Sequence, residues 1–294
     1  MKFRNLPSEV MLELTDRCNL DCEYCFRSKN TPNGNVLEFE KFRSIIQKIP
    51  FAEVISFCGL GEQLLHPKFY KMIEYVKSKN KKVAIITNGT IKIDYDKLVE
   101  LGNIYILTFS IDGASEDDIK KICSKYKYSE LIENLQRGTH YKCFTKAINC
   151  VLTNKNIENI QEIVDFCDKY SINKLNILLP SYNMAWITKN IEKITKKLNI
   201  IEYKAKKKGI IYSSPYKQYC LFNDEAIPFI TTQGIIRPCC DHFNKILKIG
   251  NILEKNFEEF WNSLVYTEFR EGKYCLTCKM YNKMPKLNIN RELL

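Results

Sequence analysis

The chain has 294 residues, 45% of them hydrophobic, a net charge of +11 and 13 cysteines. That length suits one large domain, or one domain with a smaller appendage, and the composition allows a sizeable core. No apolar run approaches the roughly 18 residues of a membrane span, and the start MKFRNLPSEV lacks the apolar stretch of a secretory signal; a cytoplasmic protein with no membrane partner is expected.

In chain order, six short runs rich in β-branched residues read as strands: 9–15 (EVMLELT), 53–59, 82–89, 104–113, 145–153 and 174–180. Each ends in a Gly, Asn, Asp or Pro turn signal. Helical patterns lie between them, over 38–48, 68–79, 95–101, 130–139 and 156–169. In the last, Ile157, Ile160, Ile163, Val164 and Cys167 share one face. Strands alternating with helices predict a parallel sheet, open or closed into a partial barrel.

The pattern then changes. A lysine-rich helix is expected over 191–208, and the two apolar runs broken at Thr232-Gln233-Gly234 read as a β-hairpin. NFEEFWNSLVYTEFR reads as one amphipathic helix, with Asn256 as N-cap and Phe257, Phe260, Trp261 and Leu264 on one side. A soft boundary falls near residue 205, giving expected units over 1–205 and 206–294.

The cysteines are the loudest compositional signal. A chain of this length with no export signal does not need disulfide staples, so metal binding is the better explanation. Eight cluster near the ends: Cys18, Cys22 and Cys25, then Cys220, Cys239, Cys240, Cys275 and Cys278. Cys58, Cys123, Cys143, Cys150 and Cys167 are scattered, as small core residues often are. The first group follows the first strand, on the face of a β/α sheet where active sites collect. Four thiolates would close a zinc or electron-transfer site; three on a four-iron cluster leave one iron open to a small molecule.

The spacing C-x3-C-x2-C, with Tyr24 before the last cysteine, resembles the signature of the radical S-adenosylmethionine (radical SAM) family. CGLGEQLLHP after the second strand is similar to that family's glycine-glutamate segment, in which Gly59, Gly61 and Glu62 would hold the methionine amino group. The usual proline is Gln63 here, expected to loosen the turn slightly, and His66 is expected to be structural. ITNGT and FSIDG after the third and fourth strands match in order, making Thr87, Asn88, Ser110 and Asp112 candidates for ribose or carboxylate contacts; Tyr24 would pack on the adenine. The resemblance implies a partial (β/α)6 TIM-like barrel and a [4Fe–4S] cluster that binds S-adenosylmethionine. It implies cleavage of that cofactor to a 5′-deoxyadenosyl radical, which abstracts a substrate hydrogen atom.

The second group resembles the family's C-terminal auxiliary-cluster region, called SPASM or, when shorter, twitch. Cys220, Cys239, Cys275 and Cys278 are the implied ligands of one closed auxiliary [4Fe–4S] cluster in a small α+β domain. Cys240 is read as a bystander, with ligand and hydrogen-atom donor as its alternatives; Asp241 and His242 read as a surface turn. The first strand begins so early that a preceding leader-peptide-binding domain is not expected, which favours a small-molecule substrate; an auxiliary cluster that takes the electron from a substrate radical would give net oxidation, and a thiol hydrogen-atom donor would give epimerisation. The alternative is oxidative maturation of a presented, ribosomally made peptide. A low-potential donor such as ferredoxin or flavodoxin is the implied partner. Spread lysines read as a solvated surface rather than a nucleic-acid face. An alternative of another class, a zinc- and nucleic-acid-binding protein without redox chemistry, needs zinc at both cysteine groups.

Overall fold

In the computed structural model, residues 5–29, 33–215, 227–239 and 247–274 are described. Cys220, Cys240, Asp241, His242, Cys275 and Cys278 lie outside them.

The six expected strands form as β1 (Glu9–Leu12), β2 (Val54–Phe57), β3 (Lys82–Thr87), β4 (Ile104–Ser110), β5 (Thr145–Val151) and β6 (Lys174–Leu178). They pair in sequence order and all parallel. Their outer face is one continuous core. Val10 and Leu12 of β1, Ile55 and Phe57 of β2 and Phe109 of β4 pack under helix residues such as Phe42, Ile45, Met72 and Ile73. Because side chains alternate across a strand, Met11, Ser56, Ile86, Ser110, Asn149 and Asn176 fall on the opposite, inner face. The architecture is a parallel partial barrel followed by a small C-terminal domain, as expected.

Two additions extend the sheet. β7 (Ile211–Ser213), unassigned from the sequence, pairs parallel with β6. At the other edge β8 (Phe229–Ile230) pairs parallel with β1, setting Phe229 beside Met11. β9 (Ile235–Arg237) returns antiparallel to β8, and β10 (Gly250–Asn251) to β9. The expected hairpin is therefore real, and it continues the barrel sheet. Its turn closes through Gly234 N–H to Thr231 O at 2.8 Å. Gly234 has φ +80°, which only glycine adopts freely.

Two of the expected helices form differently from their sequence pattern. The segment expected as a helix over 156–169 is helical only from a 3-10 turn at Ile160–Glu162 into Ile163–Lys169. Upstream, the Asn156 side chain accepts from Thr153 N–H at 2.7 Å and holds a turn instead. The amphipathic segment after Asn256 is two helices, Phe257–Trp261 and Leu264–Arg270. Ser263 interrupts it by capping the second, accepting from Tyr266 N–H at 3.3 Å. Leu264 consequently points to solvent, 74% exposed, and leaves the apolar face assigned to it. The helix expected over 191–208 forms as Ile191–Lys207. Of the scattered cysteines, Cys58, Cys123, Cys150 and Cys167 are buried, but Cys143 is exposed.

Candidate active site

The chain leaves β1 at Leu12, and the next residues build the floor of the site. Buried Glu13 accepts from Leu60 N–H at 2.8 Å and from Thr232 N–H at 3.3 Å. It ties the glycine-glutamate loop to the C-terminal hairpin. Burial pushes its carboxyl up to about 7, partly offset by those two N–H groups. Nothing in the local sequence marks Glu13, because both partners come from elsewhere in the chain.

Cys18, Cys22 and Cys25 follow on one half-buried loop. Leu20 N–H and Arg27 N–H point at the sulfurs of Cys18 and Cys25, each at 3.4 Å. The loop is bolted down from outside. Glu23 N–H donates to Ile122 O at 3.1 Å, Lys125 pairs with Asp21 at 2.6 Å, and Arg27 Nε donates to Asp16 O at 2.8 Å. Burial raises the pKa of all three thiols, so the thiolate form gains most from a bound cation. Among the described residues no three His, Cys, Asp or Glu groups converge as ligands of a single ion. A multi-iron cluster takes its thiolates on different irons and does not require that convergence.

The glycine-glutamate loop packs directly beneath. Gly61 is wedged against main chain: a Cβ there would stand 2.3 Å from Thr15 O and 2.5 Å from Arg17 O. Its need for glycine arises from this protein-protein contact, beside any approach of a ligand. Gly59 lies against the Glu13 side chain. Glu62 is 2% exposed. Its two oxygens accept from Leu64 N–H at 3.2 Å and Asn88 N–H at 2.6 Å, and burial pushes its carboxyl up to about 7.

Gln63 corrects the expectation of a loosened turn. Fully buried, its carbonyl accepts from Leu14 N–H at 2.6 Å while its amide donates to Gly61 O at 2.9 Å. It stitches the loop to the end of β1. His66 is structural, as expected. Nδ1 accepts from Lys68 N–H at 3.0 Å, so Nε2 carries the proton toward Leu37 O at 2.9 Å, and burial lowers its pKa.

The later strand ends converge on the same loop. Thr87 Oγ1 accepts from Gly89 N–H at 3.0 Å. Asn88 is a hub. Its side-chain amide donates to Asn19 Oδ1 at 2.9 Å and faces Cys18 Sγ at 3.9 Å, and its carbonyl oxygen accepts from Thr90 N–H at 2.9 Å. Ser110 ends β4 opposite Asn149 of β5. Asp112 accepts from Val151 N–H at 2.7 Å and from the Tyr24 hydroxyl, and burial pushes its carboxyl up to about 6. The Tyr24 ring stacks on Tyr182, with centroids 5.9 Å apart and planes at 9°. Local sequence gave no cue to Tyr182, or to Tyr126, which donates to Asn88 O.

Cys239 is the described member of the second group. It follows β9 and packs both against the main core and against Met11, Cys58 and Phe229 on the inner face. Beyond it lies an aromatic box in which Tyr266 meets Trp261 at 4.9 Å and Phe257 at 6.0 Å.

A parallel partial barrel with a cysteine triplet at the C-terminal rim of its first strand, next to a buried glycine-glutamate loop, defines a barrel enzyme built around an iron–sulfur centre. The chain belongs to the Radical SAM superfamily, whose family model matches residues 12–167, and residues 220–279 match the SPASM iron-sulfur cluster-binding domain. It is 27% identical to the tungsten-containing aldehyde ferredoxin oxidoreductase cofactor-modifying protein of Pyrococcus furiosus, over 89% of this chain and 82% of that one. It is 25% identical to the antilisterial bacteriocin subtilosin biosynthesis protein AlbA of Bacillus subtilis, over 88% of this chain, and spans 60% of that protein's length. Among solved structures, SuiB of Streptococcus suis bound to precursor peptide SuiA superposes with TM-score 0.72 at 17% identity, covering 97% of this chain and 71% of that one; this likeness is one of fold. The protein is thus a radical SAM enzyme that uses a [4Fe–4S] cluster with S-adenosylmethionine and has an auxiliary iron–sulfur domain. That membership overturns the zinc- and nucleic-acid-binding alternative. No described helix is long and apolar enough to cross a membrane.

Proposed function

We propose that this enzyme abstracts a hydrogen atom from a polar small molecule held against the inner face of the barrel. Cys18, Cys22 and Cys25 hold the cluster, and the 1–205 barrel unit carries the abstraction site. When bound, the cluster and S-adenosylmethionine supply the 5′-deoxyadenosyl radical. Gly59, Gly61 and Glu62 receive the methionine ammonium. Glu62 is oriented by two backbone N–H groups and the Thr87 hydroxyl, and its ionised form is the one that pairs with a cation. Thr87, Asn88, Ser110 and Asp112 border the ribose and carboxylate. Tyr24, anchored by Asp112 and backed by Tyr182, presents a flat apolar surface to the adenine. In the 206–294 unit, Cys239 with Cys220, Cys275 and Cys278 holds one closed auxiliary [4Fe–4S] cluster. Four protein ligands leave no iron open, which favours electron transfer from a substrate radical and net oxidation over substrate ligation. A ferredoxin or flavodoxin supplies the reducing electron.

The observation that carries the substrate reading is the polarity of the inner face over β4 to β6, beside the apolar patch of Met11, Cys58 and Phe229. Asn176 donates to Asn149 at 2.8 Å across the β5–β6 pair, beside Ser110. At the other edge Arg237, paired in register with Phe229, has buried Nε and Nη1 groups with no hydrogen-bond partner among the described residues. Unpaired buried donors are costly; a substrate bearing an anionic or carbonyl oxygen satisfies them. A cofactor-like metabolite fits this face, consistent with similarity to a cofactor-modifying protein. Similarity to a bacteriocin biosynthesis protein favours a peptide as the second reading. Anaerobically reconstituted enzyme, reduced and supplied with S-adenosylmethionine, is assayed for 5′-deoxyadenosine against metabolite extracts and against peptide pools. Stimulation by the metabolite fraction, with a matching loss of one extract component, is expected; stimulation by peptides alone overturns the first reading.

A further inference from the structure

We propose that the side-chain amide of Asn88 donates a hydrogen bond to the sulfur of Cys18 and so raises the reduction potential of the cluster that binds S-adenosylmethionine. The inference rests on Cys18 being a ligand of that cluster. It gives Asn88 a role beyond bordering the cofactor.

Donor and acceptor chemistry fixes which end of the amide faces the sulfur. The main-chain N–H of Thr90 can only donate, and it meets the Asn88 side chain at 2.9 Å, so the atom it meets is the carbonyl oxygen Oδ1. The other end, Nδ2, faces Asn19 Oδ1 at 2.9 Å. Asn19 then turns its own Nδ2 to Thr90 Oγ1 at 2.8 Å, and the Thr90 hydroxyl donates to Asn88 Oδ1 at 2.7 Å. The three side chains close a ring in which every bond has a determined direction. One hydrogen of Asn88 Nδ2 is taken by Asn19. The second is directed at Cys18 Sγ, 3.9 Å away.

The main chain of Asn88 is fixed as firmly. Its N–H donates to Glu62 Oε2 at 2.6 Å, and its carbonyl accepts from the Tyr126 hydroxyl. Asn88 thereby joins the first cysteine of the triplet to the carboxylate of the glycine-glutamate loop. Leu20 N–H also points at Cys18 Sγ, at 3.4 Å, but a main-chain donor is available to almost any residue, whereas the Asn88 amide is specific to its side chain. A neutral thiol accepts weakly at 3.9 Å. A ligated sulfur carries negative charge, and more of it after reduction, so an N–H aimed at it favours the reduced state and moves the potential upward. Asn88 is then a positioning residue for the cluster: it orients the Cys18-Asn19 turn and eases reduction by a low-potential donor.

The test is an EPR-monitored redox titration of anaerobically reconstituted full-length protein without S-adenosylmethionine. The signal to follow is the one that shifts when S-adenosylmethionine is added to a parallel reduced sample. Asn88→Ala is expected to keep the iron and lower the potential. At the poise that half-reduces the wild-type cluster, the ratio of reduced to oxidised cluster should fall about threefold or more. An unchanged potential with full iron content overturns the proposal. If Asn88→Ala loses iron, pulsed EPR of the wild-type protein, with heavy nitrogen in its asparagine side-chain amides, decides. A nitrogen coupling that changes with the label is expected, and its absence overturns the proposal. Cys18→Ala separates the two layers. If the shifting signal survives that substitution, the ligand assignment has failed, independently of Asn88.

Discussion

The side-chain carbonyl of Gln63 accepts the main-chain N–H of Leu14 at 2.6 Å, joining the glycine-glutamate loop to the residue that follows β1. Both partners are fully buried. Gln63→Ala leaves that N–H without a partner, at a cost of about 1–3 kcal/mol. Equilibrium unfolding in urea should show the loss as a lower midpoint with an unchanged slope. A midpoint matching the wild type would show that Gln63 is dispensable to the loop.

Gly61 should tolerate no side chain. A Cβ would sit 2.3 Å from a main-chain oxygen, and main chain on both sides leaves nothing flexible to yield. Gly61→Ala is expected to destabilise by about 1–3 kcal/mol or to push the cysteine loop outward. Either effect lowers iron retained after reconstitution, measured by iron analysis against wild type; full iron with normal stability would contradict the packing argument.

Two buried carboxyls, Glu13 and Glu62, are each pushed up to about 7 from 4.5. Below 4.5 both are protonated in the folded and unfolded states alike. As pH rises the unfolded chain releases these protons first, so their contribution to stability is lost progressively up to about 7. Glu13→Gln and Glu62→Gln should each flatten the fall of urea midpoint across that window. If both variants keep the wild-type slope, other groups control it.

Binding of S-adenosylmethionine should follow the opposite course, because only ionised Glu62 pairs with an ammonium. Affinity of the reconstituted enzyme is expected to rise through about pH 7. Glu62→Gln should weaken binding about tenfold or more, the scale of a charge-assisted hydrogen bond. Equilibrium dialysis at several pH values reads both effects. Wild-type affinity in the variant would remove Glu62 from the cofactor contacts.

Removing ligands should divide the iron in two. Replacing Cys18, Cys22 and Cys25 by alanine is expected to lower the content from about eight to about four irons and abolish 5′-deoxyadenosine formation. Cys239→Ala should also remove about four while leaving reductive cleavage of S-adenosylmethionine. If either set of substitutions empties both centres, the two-site assignment fails.

The sequence by itself determined what depends on neighbours in the chain. Strand and helix alternation, the cysteine triplet and the strand-end motifs all repeat within a few residues, and β1 to β6 formed in the predicted order. Local chemistry misled where a cap competed with periodicity: Ser263 divided the helix that its apolar spacing proposed. Tertiary structure decided what depends on distant partners. Nothing near residue 229 says that β8 will lie beside β1. Nothing near Glu13 says that its carboxylate will meet Thr232, 219 residues away. The same holds for Gln63, whose amide looked like a flaw in a turn. Periodicity records which face a residue turns inward. Which group it meets there is set by packing and by the cost of leaving a buried polar atom unpaired, and both are properties of the folded chain.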